Sequence, residues 1–133
     1  MRRCHELTGD QRIFQFGIRS GEKSEFTWAK EHIFTNKFDF TGIDNVVEGL
    51  RDVPVYLTID LDVLDPSIFP GTGTPEAGGV SFLALLEAIM KVSKLNIVAF
   101  DVNELSPVYD QSGVSTAVAC KILRELLLAV GLK

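Results

Sequence analysis

Residues Val55 to Gly79 read VYLTIDLDVLDPSIFPGTGTPEAGG. An apolar, partly β-branched run ends in Asp60-Leu61-Asp62. A third aspartate, Asp65, precedes Pro66, and a loop rich in glycine and threonine runs on from Pro70 to Gly79. The run predicts a strand, and side chains alternate faces along a strand, so Asp60 and Asp62 are expected to point the same way. Two like charges at the end of an apolar strand repel unless a cation lies between them. A bare Asp-x-Asp is most simply a solvated strand end. The long loop attached to this one favours a metal site.

The flanking sequence alternates between strand and helix signals. Upstream, Ile13 to Ile18 predicts a strand and Glu22 to His32 a helix packed through Trp28. Asp44 to Leu50 predicts a short helix capped by Asp44, and Val53 to Asp60 the next strand. Downstream, Ser81 is a good N-cap for a helix to Val92, with Leu85, Leu86, Ile89 and Met90 on its buried side. Asn96 to Val102 predicts a buried strand whose end is crowded by Asp101, Asn103 and Glu104. A long helix follows from Ser112 to Val130, with Val114, Val118, Ile122, Leu126 and Val130 on one stripe and Gly131 after its end. Lys37 to Thr41, KFDFT, gives no assignment. The alternation argues an α/β fold, a mostly parallel sheet with helices on both faces. Sites in such sheets lie outside the carboxyl ends of the strands, so Asp60, Asp62 and Glu104 are expected on one rim.

Asp60, Asp62, Asp65, Pro66, Pro70, Gly71, Thr72, Gly73, Thr74, Pro75, Gly78 and Gly79 stand at the spacing D-x-D-x-x-D-P-x-x-x-P-G-T-G-T-P-x-x-G-G. This pattern resembles the ureohydrolase family of arginases and agmatinases. A second likeness lies in NIVAFDVNELSPVYD, where Glu104-Leu105-Ser106-Pro107 is similar to the family's strand ending in glutamate. The resemblance implies the C-terminal half of an arginase-like three-layer fold, with residues 1–133 as part of a single domain. It implies hydrolysis of a guanidino compound, agmatine or similar, to urea and an amine at a site of two manganese ions, within polyamine biosynthesis. Asp60 and Asp62 fall on metal-binding positions, Thr74 on a loop threonine lining the site, and Glu104 on the residue facing the guanidinium. Asp65 is assigned either proton transfer or support of the loop. Glu76 is more typical of agmatinase-like members than of arginases. A homo-oligomer is also implied.

The chemistry suits these residues. Guanidinium resonance leaves the central carbon weakly electrophilic. Two divalent ions can share a water and lower its pKa, and oxygen ligands suit manganese or magnesium. A glutamate beside a guanidinium forms a charge-assisted bond. Two other readings of Asp-x-Asp fail. A dehalogenase-like phosphatase wants threonine where Leu64 stands, and a calcium loop counted from Asp60 has Leu64 at a ligand position and Asp65 at the glycine.

The family's other ligands, from an Asp-Ala-His-x-Asp strand end and a Gly-Gly-Asp-His segment, do not occur in these 133 residues. His5 and His32, the two histidines, lie in helical surroundings and are expected to be surface or packing residues. MRRCHEL resembles the interior of an agmatinase, so Met1 reads as an internal methionine. The alternative to an enzyme is therefore a non-catalytic fragment lacking the upstream ligands.

Composition is consistent with part of an α/β enzyme. Hydrophobic residues make up 46% and net charge is -5, which disfavours nucleic acid and suits a small cationic substrate. No apolar run approaches the roughly 20 residues of a membrane helix, and no leader is evident, so a cytoplasmic protein is expected. Cys4 and Cys120 are expected to be reduced and without a role.

Overall fold

A computed structural model describes residues 1–131 of the 133. Helix α1, Arg2–Thr8, ends at Gly9, whose φ of 84° only glycine adopts freely. Strand β1, Phe14–Ile18, leads to α2, Lys23–His32, which opens on a capping box between Glu22 and Glu25. Strand β2, Phe34–Lys37, pairs parallel to β1 with Phe14 opposite Phe34. The sequence FTNK is too short and polar to announce this strand. The chain then turns through Phe38, at φ 68°, and Gly42, at φ 87°. Helix α3, Ile43–Gly49, is capped by Gly42 in a left-handed conformation, not by Asp44 as expected. Asp44 instead pairs with Lys91 at 2.8 Å.

Strand β3, Pro54–Asp60, pairs parallel to β4, Asn96–Asn103. Helix α4, Phe82–Val92, lies between them in sequence, and α5, Val114–Gly131, follows β4. Among the described residues the four strands therefore form two two-stranded parallel sheets, flanked by helices, in an α/β arrangement.

The core gathers Ile59 and Leu61 with Leu64, Phe69 and Val80 from the loop after β3, Leu85 and Ile89 from α4, and Ala119, Ile122 and Leu126 from α5. Phe69 is fully buried, so the glycine-rich loop carries its own core anchor. Such a side chain contributes about 1.5–3 kcal/mol by burial. Ser81 caps α4 as expected, its hydroxyl accepting from the Ala84 N–H at 3.2 Å. Met90 is exposed, and Ala88 takes the expected place on the buried side. On α5, Val114 is likewise exposed and Ser115 begins the buried stripe, while Gly131 lies within the helix.

β4 departs from the expectation of a fully buried strand. Leu57, Ile59, Phe100 and Val102 face the helices, but Tyr56 and Val98 are each 62% exposed. The outer face instead carries a polar ladder. Thr58 donates to Asp101 at 2.8 Å, and Tyr56 and Asn103 also donate to that carboxylate. Helices are thus found on one face of the β3–β4 pair among the described residues.

Candidate active site

Parallel pairing decides where the carboxylates go. Asp60 is in register with Asn103, and Glu104 follows at once, so both strands deliver acidic residues to one edge. Asp62 reaches the same edge by a different route from the expected strand alternation. The strand stops at Asp60, and Leu61–Val63 form a 3-10 turn. Asp60 caps that turn, its Oδ1 accepting from the Asp62 N–H at 3.1 Å. A short carboxylate can bond the backbone two residues ahead, which ends a strand and starts a turn.

The electrostatics are those of a crowded anionic rim. Partial burial pushes the Asp60 carboxyl up to about 6, and the charges of Asp62 and Glu104 push the same way against the opposing pull of the Asp62 N–H. Among the described residues no ion pair joins a cation to Asp60, Asp62 or Glu104. A divalent cation held by hard oxygen donors would relieve this repulsion, so the residues present fit one. Glu104 itself adopts φ 69°. A left-handed backbone is uncommon for a long side chain, and strain of this kind gathers at functional sites.

The loop between β3 and α4 folds over the turn. Thr74 donates its hydroxyl to Asp62 Oδ2 at 3.2 Å. Thr72 is buried with its hydroxyl unpartnered. Glu76 accepts from the Ser20 hydroxyl at 2.5 Å and is more than a solvated loop charge. Asp65 closes the base of the loop. Its Oδ1 accepts from the N–H and hydroxyl of Ser67, at 3.0 and 2.6 Å. Its Oδ2 accepts from the N–H groups of Gly78 and Gly79, at 2.9 and 3.2 Å. Those bonds, the Ser67 hydroxyl first, hold its pKa down to about 2. A side chain at Gly79 would place its Cβ 2.4 Å from the Asp65 nitrogen, so the two backbones meet only because the residue is glycine.

Further residues, some outside the two motifs, hold this assembly in place, and sequence reasoning gave them no role. Arg19, just after β1, donates to the carbonyls of Asp62 at 2.6 Å and Val63 at 2.9 Å. It joins the first sheet to the acidic turn of the second. Ser115 at the start of α5 accepts from the Gly71 N–H at 2.8 Å, and the Ser106 N–H donates to the Gly71 carbonyl at 2.7 Å. Asp110 accepts from the Ser115 N–H at 2.7 Å and is held well below the usual carboxylate range, chiefly by the Ser112 hydroxyl. Buried polar side chains demand partners, but which partners they find across 43 or 44 residues is set by tertiary packing.

His5 and His32 do not join the carboxylates. Both lie on helices as expected and pack on Trp28, with ring centroids 4.9 Å away in each case. They sit near the amino end of β1, whereas Arg19 beyond its carboxyl end reaches the acidic turn.

The arginase-family model matches residues 1–129. An agmatinase of Bacillus subtilis is 44% identical over 132 residues, covering 96% of this chain and 46% of its own. Among solved structures, one from Clostridium difficile, provisionally assigned as an agmatinase, superposes with a TM-score of 0.94 at 49% identity. It covers 99% of this chain and 50% of that one. The agmatine ureohydrolase of Thermoplasma volcanium gives 0.81 at 33%, covering 98% and 46%. The chain spans about half the length of the relatives it matches, and its likeness lies with their C-terminal part. No helix among the described residues is long and apolar enough to cross a membrane. With both motifs on one rim and a family match over nearly its whole length, the chain belongs to the arginase family.

Proposed function

We propose that this chain supplies the carboxylate side of a guanidino-hydrolase site that releases urea from agmatine or a close relative. The observation that carries this reading is the convergence of Asp60, Asp62 and Glu104 on one rim with no cationic partner among the described residues, Asp60 being pushed up by partial burial and then by the charges of its neighbours. The names of the Bacillus and Thermoplasma relatives favour agmatine among guanidino compounds.

Asp60 and Asp62 would hold manganese, which when bound supplies an activated water beside the guanidinium carbon. Glu104 pairs with the substrate cation and orients it. Thr74 holds Asp62 in place from the loop and lines the entrance. Asp65, with both oxygens engaged and its pKa near 2, stays ionised and supports the loop rather than carrying a proton. The substrate is a small cation drawn to an acidic rim, in keeping with a chain of net charge -5. A cytoplasmic homo-oligomer completes the proposal.

A second reading is favoured by the half-length coverage of the relatives. Asp60 and Asp62 are part of a binuclear ligand set, so the 133 residues alone would be non-catalytic. The test of the main reading compares wild type with Asp62→Ala in an active assembly containing this chain. Manganese content and urea release from agmatine should fall together, by at least about 10-fold. If both survive the substitution, the ligand assignment is wrong.

A further inference from the structure

Three features lie beyond the rim carboxylates themselves. The exposed outer face of the β3–β4 pair is lined by Tyr56 and Val98, but nothing on that face identifies an occupant. Arg19 braces the acidic turn and belongs to the site already described. The third is the corner where α1, the turn after it and α2 meet.

The two histidines of the chain converge there on one carboxylate oxygen. His5 Nε2 lies 2.6 Å from Asp10 Oδ1, and His32 Nδ1 lies 2.6 Å from the same atom. The three ligating atoms all fall within 4.8 Å of one another. We infer that His5, Asp10 and His32 form a second metal site, separate from the acidic rim and suited to a zinc-class divalent ion.

The donor set differs in kind from that of the rim. Two imidazoles and one carboxylate suit zinc, cobalt, nickel or copper, whereas carboxylates alone suit manganese or magnesium. Three protein ligands leave a fourth position open to water or an exogenous group. An ion at about 2.0–2.1 Å from each donor spreads tetrahedral ligands to about 3.3 Å, so each of the two 2.6 Å histidine–aspartate pairs needs to open by less than about 1 Å.

The corner is held by contacts that do not use the ligating atoms. Gly9 and Gln11, on either side of Asp10, have positive φ values of 84° and 58°, which swing Asp10 back over α1. The Gln11 N–H donates to the His32 carbonyl at 2.8 Å, and its side chain donates to the Glu31 carbonyl at 3.2 Å. Trp28 stacks on His32 at 25° and meets His5 edge-on at 90°, fixing both ring planes. His5 is mostly buried, with 19% of its side chain exposed, while Asp10 opens to solvent at 64%. An ion can enter from the Asp10 side without unfolding either helix. The acidic rim lies beyond the other end of β1, a strand of 5 residues, or about 16 Å.

The sole tryptophan of the chain is its own reporter. Copper(II) and nickel(II) quench indole emission at short range, and Trp28 lies 4.9 Å from each imidazole. The experiment titrates the 133-residue chain with zinc by calorimetry, with copper(II) by Trp28 emission, and with cobalt(II) by visible absorption. One equivalent should bind, cobalt should give a ligand-field band, and zinc should displace copper and restore emission. Asp10→Asn, which keeps a hydrogen-bond acceptor for the rings, should weaken zinc at least 10-fold, as should His5→Ala and His32→Ala. Asp60→Asn with Asp62→Asn should leave zinc binding and quenching unchanged. The inference is overturned if zinc at millimolar concentration fails to bind. It is equally overturned if binding survives Asp10→Asn and His32→Ala in chains whose circular dichroism is native, or follows the Asp60 and Asp62 substitutions instead. Manganese-dependent urea release is a separate readout, so failure here leaves the acidic rim untouched.

Discussion

Thr74 and Asp62, twelve residues apart, are joined side chain to side chain at 3.2 Å. The loop tip is therefore tied to the acidic turn itself and not to a neighbouring surface. Thr74→Val keeps the shape and removes the bond. It should lower turnover of the guanidino substrate roughly 3- to 10-fold, the worth of one hydrogen bond, with little change in thermal stability. Steady-state kinetics beside a melting curve would check this; unchanged turnover would detach the loop from the site.

Glu104 occupies a conformation that glycine adopts freely. Replacing it by glycine should stabilise the fold by up to about 1 kcal/mol through relief of strain, against the entropy gained by the unfolded chain. The same change should remove substrate orientation and depress turnover strongly. Chemical denaturation and a urea assay on one variant should move in opposite directions. A destabilised Glu104→Gly would show that the backbone is held there for structural reasons alone.

Asp65 makes the fold sensitive to acid. Its pKa is depressed from 3.8 to about 2 in the folded chain. A depressed carboxylate stabilises the folded state when ionised. Its contribution is complete above about pH 4 and disappears as pH falls through about 2. Asp65→Asn should lose stability at neutral pH and show a shallower decline between pH 4 and 2. Denaturation midpoints across that range would reveal parallel curves if the bonds to Ser67, Gly78 and Gly79 contribute nothing.

Gly79 and Gly73 lie in one loop yet should respond oppositely to alanine. A Cβ at Gly79 would meet the Asp65 backbone at 2.4 Å, while one at Gly73 meets nothing within 4 Å. Gly79→Ala should cost about 1–3 kcal/mol through overpacking, and Gly73→Ala should fall within about 0.5 kcal/mol of wild type. Equal melting temperatures for the two would mean that the base of the loop yields.

On the proposed reading, the 133-residue chain alone should release no urea from agmatine, with or without added manganese, because Asp60 and Asp62 would fill only part of a two-metal ligand set. A colorimetric urea assay with a manganese titration decides the matter. Robust turnover with two ions per chain would remove the second reading given above.

Much of the candidate site's geometry was legible because its residues sit close together in sequence and obey strand chemistry. The β-branched run to Asp60 and the run to Asn103 announce strands, and parallel pairing carries their ends to one rim. The 3-10 turn at Asp62 was not legible, because strand alternation and an Asp-capped turn both place the side chain near Asp60. β2 escaped notice because Phe34-Thr35-Asn36-Lys37 is held by pairing with β1 rather than by its own pattern. Arg19 could not be found from sequence, since its partners lie 43 and 44 residues away. His5 and His32 were rightly placed on helices. Their meeting at Asp10 depends on two positive-φ residues, one of them Gln11, whose side chain gives no sign of such a turn.

The loop after β3 is built in two zones with different tolerance for change. Its base is committed: Asp65 grips Gly78 and Gly79, Phe69 is sunk in the core and Gly71 is bonded on both sides. Its tip, Gly73 to Ala77, is exposed throughout. Inherited variation can therefore accumulate at Gly73, Pro75 and Ala77 while the acidic rim stays still. A lineage built on this scaffold can rewrite a few exposed letters of the loop while the acidic turn beneath it is passed on intact.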